Sequence, residues 1–177
     1  MARLAQEFYG AADACSTLFG FAPQDVHAPG YHHLEETLPS ALLEAWRGNF
    51  GIYTGRNAAE AQWVLERSGL APYFPTARRS TTSLGLLKPD PTGLHRLIDS
   101  AFVETALFVG ETLDDLMTVR RYRTQYPKAP TVILAGLTRG SMGDRSHDIF
   151  HRFEADLIAP DVTTLLLAIA QGTRPSP

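Results

Sequence analysis

Along the first twenty residues the apolar positions fall at helical spacing. Leu4, Phe8, Ala11, Ala12, Cys15, Leu18 and Phe19 share one face, and Gly20 is the expected stop. From Phe21 to Thr37 no period holds, and Pro23, Pro29 and Gly30 break the chain. A short helix is expected from about Ser40 to Trp46.

The pattern then changes to short continuous apolar runs separated by helical stretches. Phe50-Gly51-Ile52-Tyr53 predicts a buried strand, and Thr54-Gly55-Arg56-Asn57 a turn that caps a helix from Ala58 to Ser68. That helix should bury Ala61, Val64 and Leu65 and end at Gly69. Thr105 to Val109 reads as a second strand stopped by Gly110, with a helix from Leu113 to Arg123 after it. Thr131 to Ala135, stopped by Gly136, is a third, and Asp156 to Ile158 a short fourth before a helix from Val162 to Ala170. A weak strand is expected between Thr76 and Leu87. Continuous apolar strands alternating with helices predict a parallel sheet covered on both faces. The expected fold is therefore a doubly wound α/β domain, with its ligand site at the carboxyl ends of the strands.

Composition narrows the class. The chain has 177 residues, 44% hydrophobic and 20% charged, which suits a single core. No stretch approaches the roughly 18 to 20 apolar residues of a membrane span, and no secretory signal is expected from the opening Met-Ala-Arg-Leu. The one cysteine, Cys15, allows no internal disulfide and points to a reducing, cytoplasmic setting. A net charge of −3 gives no electrostatic footprint for nucleic acid.

The residues after each strand carry the candidate chemistry. Thr54-Gly55-Arg56 follows the first strand, Gly110-Glu111-Thr112-Leu113-Asp114-Asp115 follows the second, and Lys88-Pro89-Asp90-Pro91 opens a helix between them. A hydroxyl with adjacent backbone N–H groups and a lysine suit a phosphate, and an acidic cluster suits a hard cation such as Mg²⁺. Phosphoryl transfer uses both, because charge on the non-bridging oxygens must be neutralised as the group moves.

With these segments the chain resembles the haloacid dehalogenase (HAD) superfamily, mostly phosphatases of small phosphorylated metabolites, and looks closest to members with a helical cap inserted after the first strand. Ile52-Tyr53-Thr54-Gly55-Arg56 resembles the second motif of that family, whose hydroxyl binds the substrate phosphoryl group. Lys88-Pro89-Asp90-Pro91 resembles the third, whose lysine stabilises the charge on nucleophile and phosphate. Phe108 to Asp115 resembles the fourth, which ligates Mg²⁺. The resemblance implies Lys88 as a catalytic residue, Thr54, Gly55 and Lys88 as phosphate ligands, Glu111 and Asp115 as metal ligands, Mg²⁺ as cofactor and a small phosphorylated metabolite as substrate. It also implies a partial cap over residues 1–36 and an α/β core over 37–171, while residues 172–177 read from the sequence itself as a flexible tail.

Two departures bear on activity. Glu111 stands where the family usually has Asp, one methylene longer. The Asp-x-Asp motif that supplies the nucleophile on the family's central strand is absent; Asp13 and Asp25 follow no apolar run and have no second Asp two positions on. Residues 1–35 look instead like the tail of a cap. Three explanations stay open: the sequence is part of a longer one, the protein is an inactive HAD-like binding or regulatory subunit, or a second polypeptide supplies the missing strand. A sheet without its central strand has two inner edges with unpaired backbone groups, so a strand, a partner chain, a homo-oligomer or closure of the two halves is expected to fill the gap.

Other readings stay beside these. Thr54 can simply cap the following helix, Lys88 can be a solvated lysine, Asp114 and Asp115 can complement a helix dipole, and Asp90 reads as a turn or cap residue. His147 and His151, and His32-His33 with Glu35-Glu36, have spacings that can bind metal but read better as a surface pair and a polar loop. Arg120, Arg121 and Arg123 around Tyr122 read as a solvated helix end. Cys15, Trp46 and Trp63 read as packing residues.

Overall fold

The computed structural model describes residues 2–24, 29–34, 38–46, 50–140 and 142–172. Asp25, Glu35, Glu36 and the tail from residue 173 lie outside the described residues. The helices are α1 (Ala2–Phe19), α2 (Ser40–Trp46), α3 (Ala58–Arg67), α4 (Thr92–Ala101), α5 (Leu113–Gln125), α6 (Ser146–Arg152) and α7 (Val162–Ala170). The strands are β1 (Ile52–Tyr53), β2 (Arg79–Ser80), β3 (Thr105–Gly110), β4 (Thr131–Leu137) and β5 (Leu157–Ala159).

All strand pairs are parallel, but they form two sheets rather than one: β1–β2, and β3–β4–β5 with β4 in the middle. The six residues of β3 match β4 from Thr105↔Thr131 to Gly110↔Gly136. Alternation along these strands divides two clusters. Phe108, Val132 and Leu134 join Tyr53 of β1, Leu94 and Ile98 of α4, Leu116, Val119 and Tyr122 of α5, and Phe150 of α6. Leu107, Val109 and Ala135 pack with Ala159 and Leu165. The three-stranded sheet thus has helices over both faces, as its unbroken apolar runs predict.

The structure departs from the sequence expectations at several points. The first helix is broken at Ala11, whose φ of 43° and ψ of −146° are not helical. Gly10 beside it faces the Cys15 backbone, where a Cβ would stand 2.8 Å from Cys15 Cα. The first strand shrinks to Ile52–Tyr53, because its partner β2 is only two residues long and Phe50 packs against Phe74 instead. The third strand runs through Gly136 rather than stopping there. That glycine serves a close approach, since a Cβ on it would lie 2.4 Å from the Phe150 ring. Val64 is only half-buried, while Ala61 and Leu65 are buried. Cys15 is fully buried, and burial pushes its thiol pKa up. No helix among the described residues is long and apolar enough to cross a membrane.

Candidate functional site

The loop after β1 begins with Thr54, half-buried, whose N–H donates to Ser80 O at 2.9 Å and so extends the β1–β2 ladder by one bond. Its hydroxyl accepts from Arg56 N at 3.2 Å. Thr54 does not cap α3. Asn57 does, its side chain accepting from Glu60 N at 2.9 Å while Glu60 returns a bond to Asn57 N at 3.0 Å. Gly55 is exposed, and a Cβ there would meet no atom within 4 Å. The Arg56 side chain turns away to Tyr9 of α1, lying over its ring at 4.8 Å and donating to its hydroxyl, so the N-terminal helix is tied to this loop.

Lys88 and Asp90 stand in the turn that leads into α4. Asp90 Oδ1 accepts from Thr92 N at 2.8 Å, and the Thr92 hydroxyl and backbone N–H hold its carboxyl below the usual carboxylate range. The Asp90 carbonyl accepts from Tyr53 Oη at 2.7 Å, which ties this turn to β1. Burial first, and then the Asp90 charge, push the Tyr53 phenol up to about 12.

The acidic segment after β3 is organised around Asp115. Thr112 is the N-cap of α5 and Asp115 its third residue, forming a reciprocal capping box. Asp115 Oδ2 accepts from Glu111 N at 3.1 Å, Thr112 N at 3.0 Å and Thr112 Oγ1 at 2.7 Å. Its other oxygen pairs with Lys88 Nζ at 2.6 Å, with the two side chains 5% and 19% exposed, so water screens this pair little. Gly110 makes the approach feasible, because a Cβ on it would stand 2.3 Å from Asp115 Cβ. Asp114 is exposed, and Asp115 serves the helix start through hydrogen bonds as well as charge.

Glu111 is exposed and lies across Gly140, in the loop after β4, where a Cβ would come within 2.4 Å of Glu111 Oε2. Its carboxylate makes no hydrogen bond or ion pair among the described residues. The structure therefore brings Lys88, Asp115 and the Glu111 backbone together at the carboxyl ends of the strands. No hydrogen bond joins Thr54 to Lys88 or Glu111 among the described residues.

Sequence reasoning missed Ser80 and Thr81, buried polar residues at the end of β2. Ser80 Oγ has no hydrogen-bond partner among the described residues. Their only sequence signal was a Ser-Thr-Thr run at the end of a weak strand. The histidine pairs do not gather ligands: among the described residues no three His, Cys, Asp or Glu side chains cluster as a metal site. His32 is buried rather than in a polar loop, with Nδ1 2.8 Å from Tyr9 O and its ring edge-on to Trp63. His147 and His151 are exposed on α6. Tyr122 is buried, while Arg123 bonds Val132 O at 2.7 Å and also Asp156.

No protein-family model matches the sequence, and no curated protein matches it. A search of solved structures finds an X-ray structure from the Northeast Structural Genomics Consortium that aligns with 96% of this chain at a TM-score of 0.65 and 18% identity. The likeness establishes a shared fold. The chain spans about half of that structure's length, 52%.

Proposed function

We propose that this chain is a HAD-like hydrolase core with a doubly wound sheet, carrying the phosphate-holding and Mg²⁺-holding half of a phosphomonoesterase site for a small phosphorylated metabolite. The observation that carries the reading is the 2.6 Å pair between Lys88, ahead of α4, and Asp115, opening α5, which sets a cation and a carboxylate side by side where two strand–helix junctions meet. Lys88 meets a phosphoryl oxygen, and the Thr54 hydroxyl with the backbone N–H of Gly55 holds another.

The donor set fits a water-rich Mg²⁺, which commonly takes one or two carboxylates plus phosphate oxygens. Glu111 would hold the ion with its unpartnered carboxylate, and Asp115 Oδ1 would be the second ligand on release of Lys88. When bound, the ion neutralises charge on the non-bridging phosphate oxygens. The described residues offer no aspartate at a strand end beside Lys88 other than Asp115, whose oxygens are engaged.

That engagement of Asp115 favours a second reading, an inactive HAD-like binding subunit. Titration of the purified protein with inorganic phosphate in the presence of Mg²⁺, followed by calorimetry, tests the first. Saturable binding that weakens at least tenfold in Thr54→Ala and Lys88→Met, each checked for folding by circular dichroism, supports it; no binding, or binding indifferent to both, overturns it. Turnover of a generic phosphate monoester that both substitutions abolish would sink the inactive reading.

A further inference from the structure

The segments entering β1 and β2 run side by side, because Ile52 pairs with Arg79 and a Cβ on Gly51 would stand 3.3 Å from Arg78 O. Phe50 and Arg78 therefore meet at the amino-terminal ends of these strands, opposite the end that carries Thr54. A cavity of about 540 Å³ opens there, completed by α2 and by the turns between α3 and β2. Leu43, Phe50, Pro72 and Pro75 give it apolar walls, and Glu44, Tyr73 and Arg78 give it polar groups. That volume, with a few polar groups on an apolar lining, is the make-up of a small-molecule site.

Its two charges are not used up by the fold. Tyr73 Oη donates to Glu44 Oε1 at 2.7 Å, which steadies that carboxylate and leaves its second oxygen without a partner among the described residues. Arg78 N donates to Pro75 O at 2.8 Å, so its backbone is held. Its half-buried guanidinium makes no hydrogen bond or ion pair among the described residues, and it does not pair with Glu44 across the cavity. Neighbouring Arg79 behaves differently: its Nε donates to Phe74 O at 2.6 Å and its Nη1 to Gln62 Oε1. One arginine braces the turn, and the next is left to the cavity. The walls are stiff, because the rings of Pro72 and Pro75 fix φ and Phe50 packs on Phe74 at 5.9 Å between centroids. A ligand therefore meets a site largely formed before it arrives.

We infer that this cavity binds a small zwitterion with an apolar body, the chemistry of an aromatic or large aliphatic α-amino acid. Arg78 takes the carboxylate through its planar fork, and the free oxygen of Glu44 accepts from the ammonium. The ligand's side chain lies on Leu43, Phe50 and the two prolines. A plain carboxylate would satisfy Arg78 but sit beside the Glu44 charge, and a plain amine would do the reverse. A second copy facing the cavity about a twofold axis would set one concavity against another and fill neither. None of the lining residues belongs to the strand-end site, so the inference stands apart from the phosphate reading.

Calorimetric titration of the 177-residue protein tests it, with L-phenylalanine and L-leucine as probes. Phenylpropionate, phenethylamine and L-alanine serve as analogues that lack the ammonium, the carboxylate and the apolar body in turn. One of the two probes should bind saturably at a single site, at least about fivefold tighter than every analogue. Backbone amide NMR shifts should follow its binding at Gly51 and Arg78 and not at Glu111 or Asp115. Arg78→Met and Glu44→Gln, each with an unchanged circular dichroism spectrum, should each weaken it at least about fivefold. The inference is overturned if neither probe saturates by about 10 mM, or if any analogue binds within about fivefold of the better probe. It is equally overturned if the shifts fall at Glu111 and Asp115 instead, or if either folded variant binds as well as wild type. The analogue series and the shifts decide the matter on the wild-type protein even where a variant fails to fold.

Discussion

Asp115 offers the sharpest test of the site's construction. Its Oδ2 takes three donors from the α5 cap and its Oδ1 takes Lys88, and the side chain is only 5% exposed. Asp115→Asn keeps one acceptor oxygen but must aim its amide N–H₂ either at the three cap donors or at the Lys88 ammonium. Hydrogen bonds to charged groups are worth about 1.5–3 kcal/mol each, and leaving a partly buried charge unpaired adds to the loss, so Asp115→Asn should cost about 3 kcal/mol. Lys88→Met removes the cation but leaves the carboxylate its three cap donors, and should cost about 1–2 kcal/mol. In the double variant the carboxamide turns its N–H₂ toward the methionine without repulsion. The pair should therefore be less damaging than the sum, with a coupling of about 1–2 kcal/mol. Urea unfolding followed by tryptophan fluorescence measures all four forms, with Asp114→Asn on the exposed neighbouring position as a control costing about 0.5 kcal/mol. Additivity within about 0.4 kcal/mol, or an Asp115→Asn no worse than the control, would refute a dry Lys88–Asp115 pair.

Gly110→Ala and Gly136→Ala should each lose about 1–3 kcal/mol in thermal unfolding, because the new methyls would stand 2.3 Å from Asp115 Cβ and 2.4 Å from the Phe150 ring. Gly55→Ala, with open space around it, should stay within about 0.5 kcal/mol. Asp161 caps α7 by accepting from Thr164 N at 2.7 Å, so Asp161→Ala should cost about 1 kcal/mol at neutral pH, read from the unfolding midpoint. The carboxyls of Asp161 and Asp90 are held low, chiefly by the bonds from Thr164 and Thr92. Their stability is therefore complete above the ordinary carboxylate value, near pH 4, and lost as pH falls through the lower folded values. A melting-temperature profile of an Asp90→Asn, Asp161→Asn double variant should be flatter than wild type below about pH 4. Tyr53→Phe breaks the bond to Asp90 O and should cost about 1 kcal/mol at pH 7. Because the phenol is raised to about 12, its contribution is present below its ordinary value and lost as pH climbs to that figure, so the variant should also be less alkali-sensitive than wild type.

The sequence made the long elements legible where side-chain period and chain punctuation agreed. The run from Thr105 to Gly110 is apolar without alternation because both of its faces are covered, and β3 forms there. The helix from Ala58 starts where Asn57 and Glu60 can cap each other, and it ends before Gly69 with its φ of 71°. What stayed illegible was decided by partners far along the chain. A strand is expected between Thr76 and Leu87, and β2 forms there at Arg79–Ser80, but its two-residue extent has no hydrophobic signature and is set by β1 beside it. Gly136 reads as a stop until Phe150, fourteen positions on, occupies the space of its missing side chain. At the site, the residue types at the strand ends were legible. The 27-residue separation of Lys88 and Asp115 hid their pairing, and with it the fact that one carboxylate both caps a helix and neutralises the lysine.

The split sheet raises the question of what holds its two parts in one body. A continuous sheet would join them by a ladder of backbone bonds; here the ties are side chains and a helix. α4 contributes Leu94 and Ile98 to the cluster that contains both Tyr53 and Phe108. Tyr53 reaches across to the Asp90 carbonyl ahead of α4, and Lys88 from the same turn reaches Asp115 at the start of α5. Those ties converge on the turn from Lys88 to Pro91, so that segment carries the coupling between the sheets as well as the candidate phosphate-binding lysine. A strand seated between β1 and β3 would add a backbone ladder to these few contacts. Filling the gap expected between the two sheets should then change the geometry at Lys88 more than at β5, which pairs only with β4 on the far side of the sheet. The chemistry at the strand ends and the completeness of the sheet are in this way one problem, because the same short turn is the hinge of both.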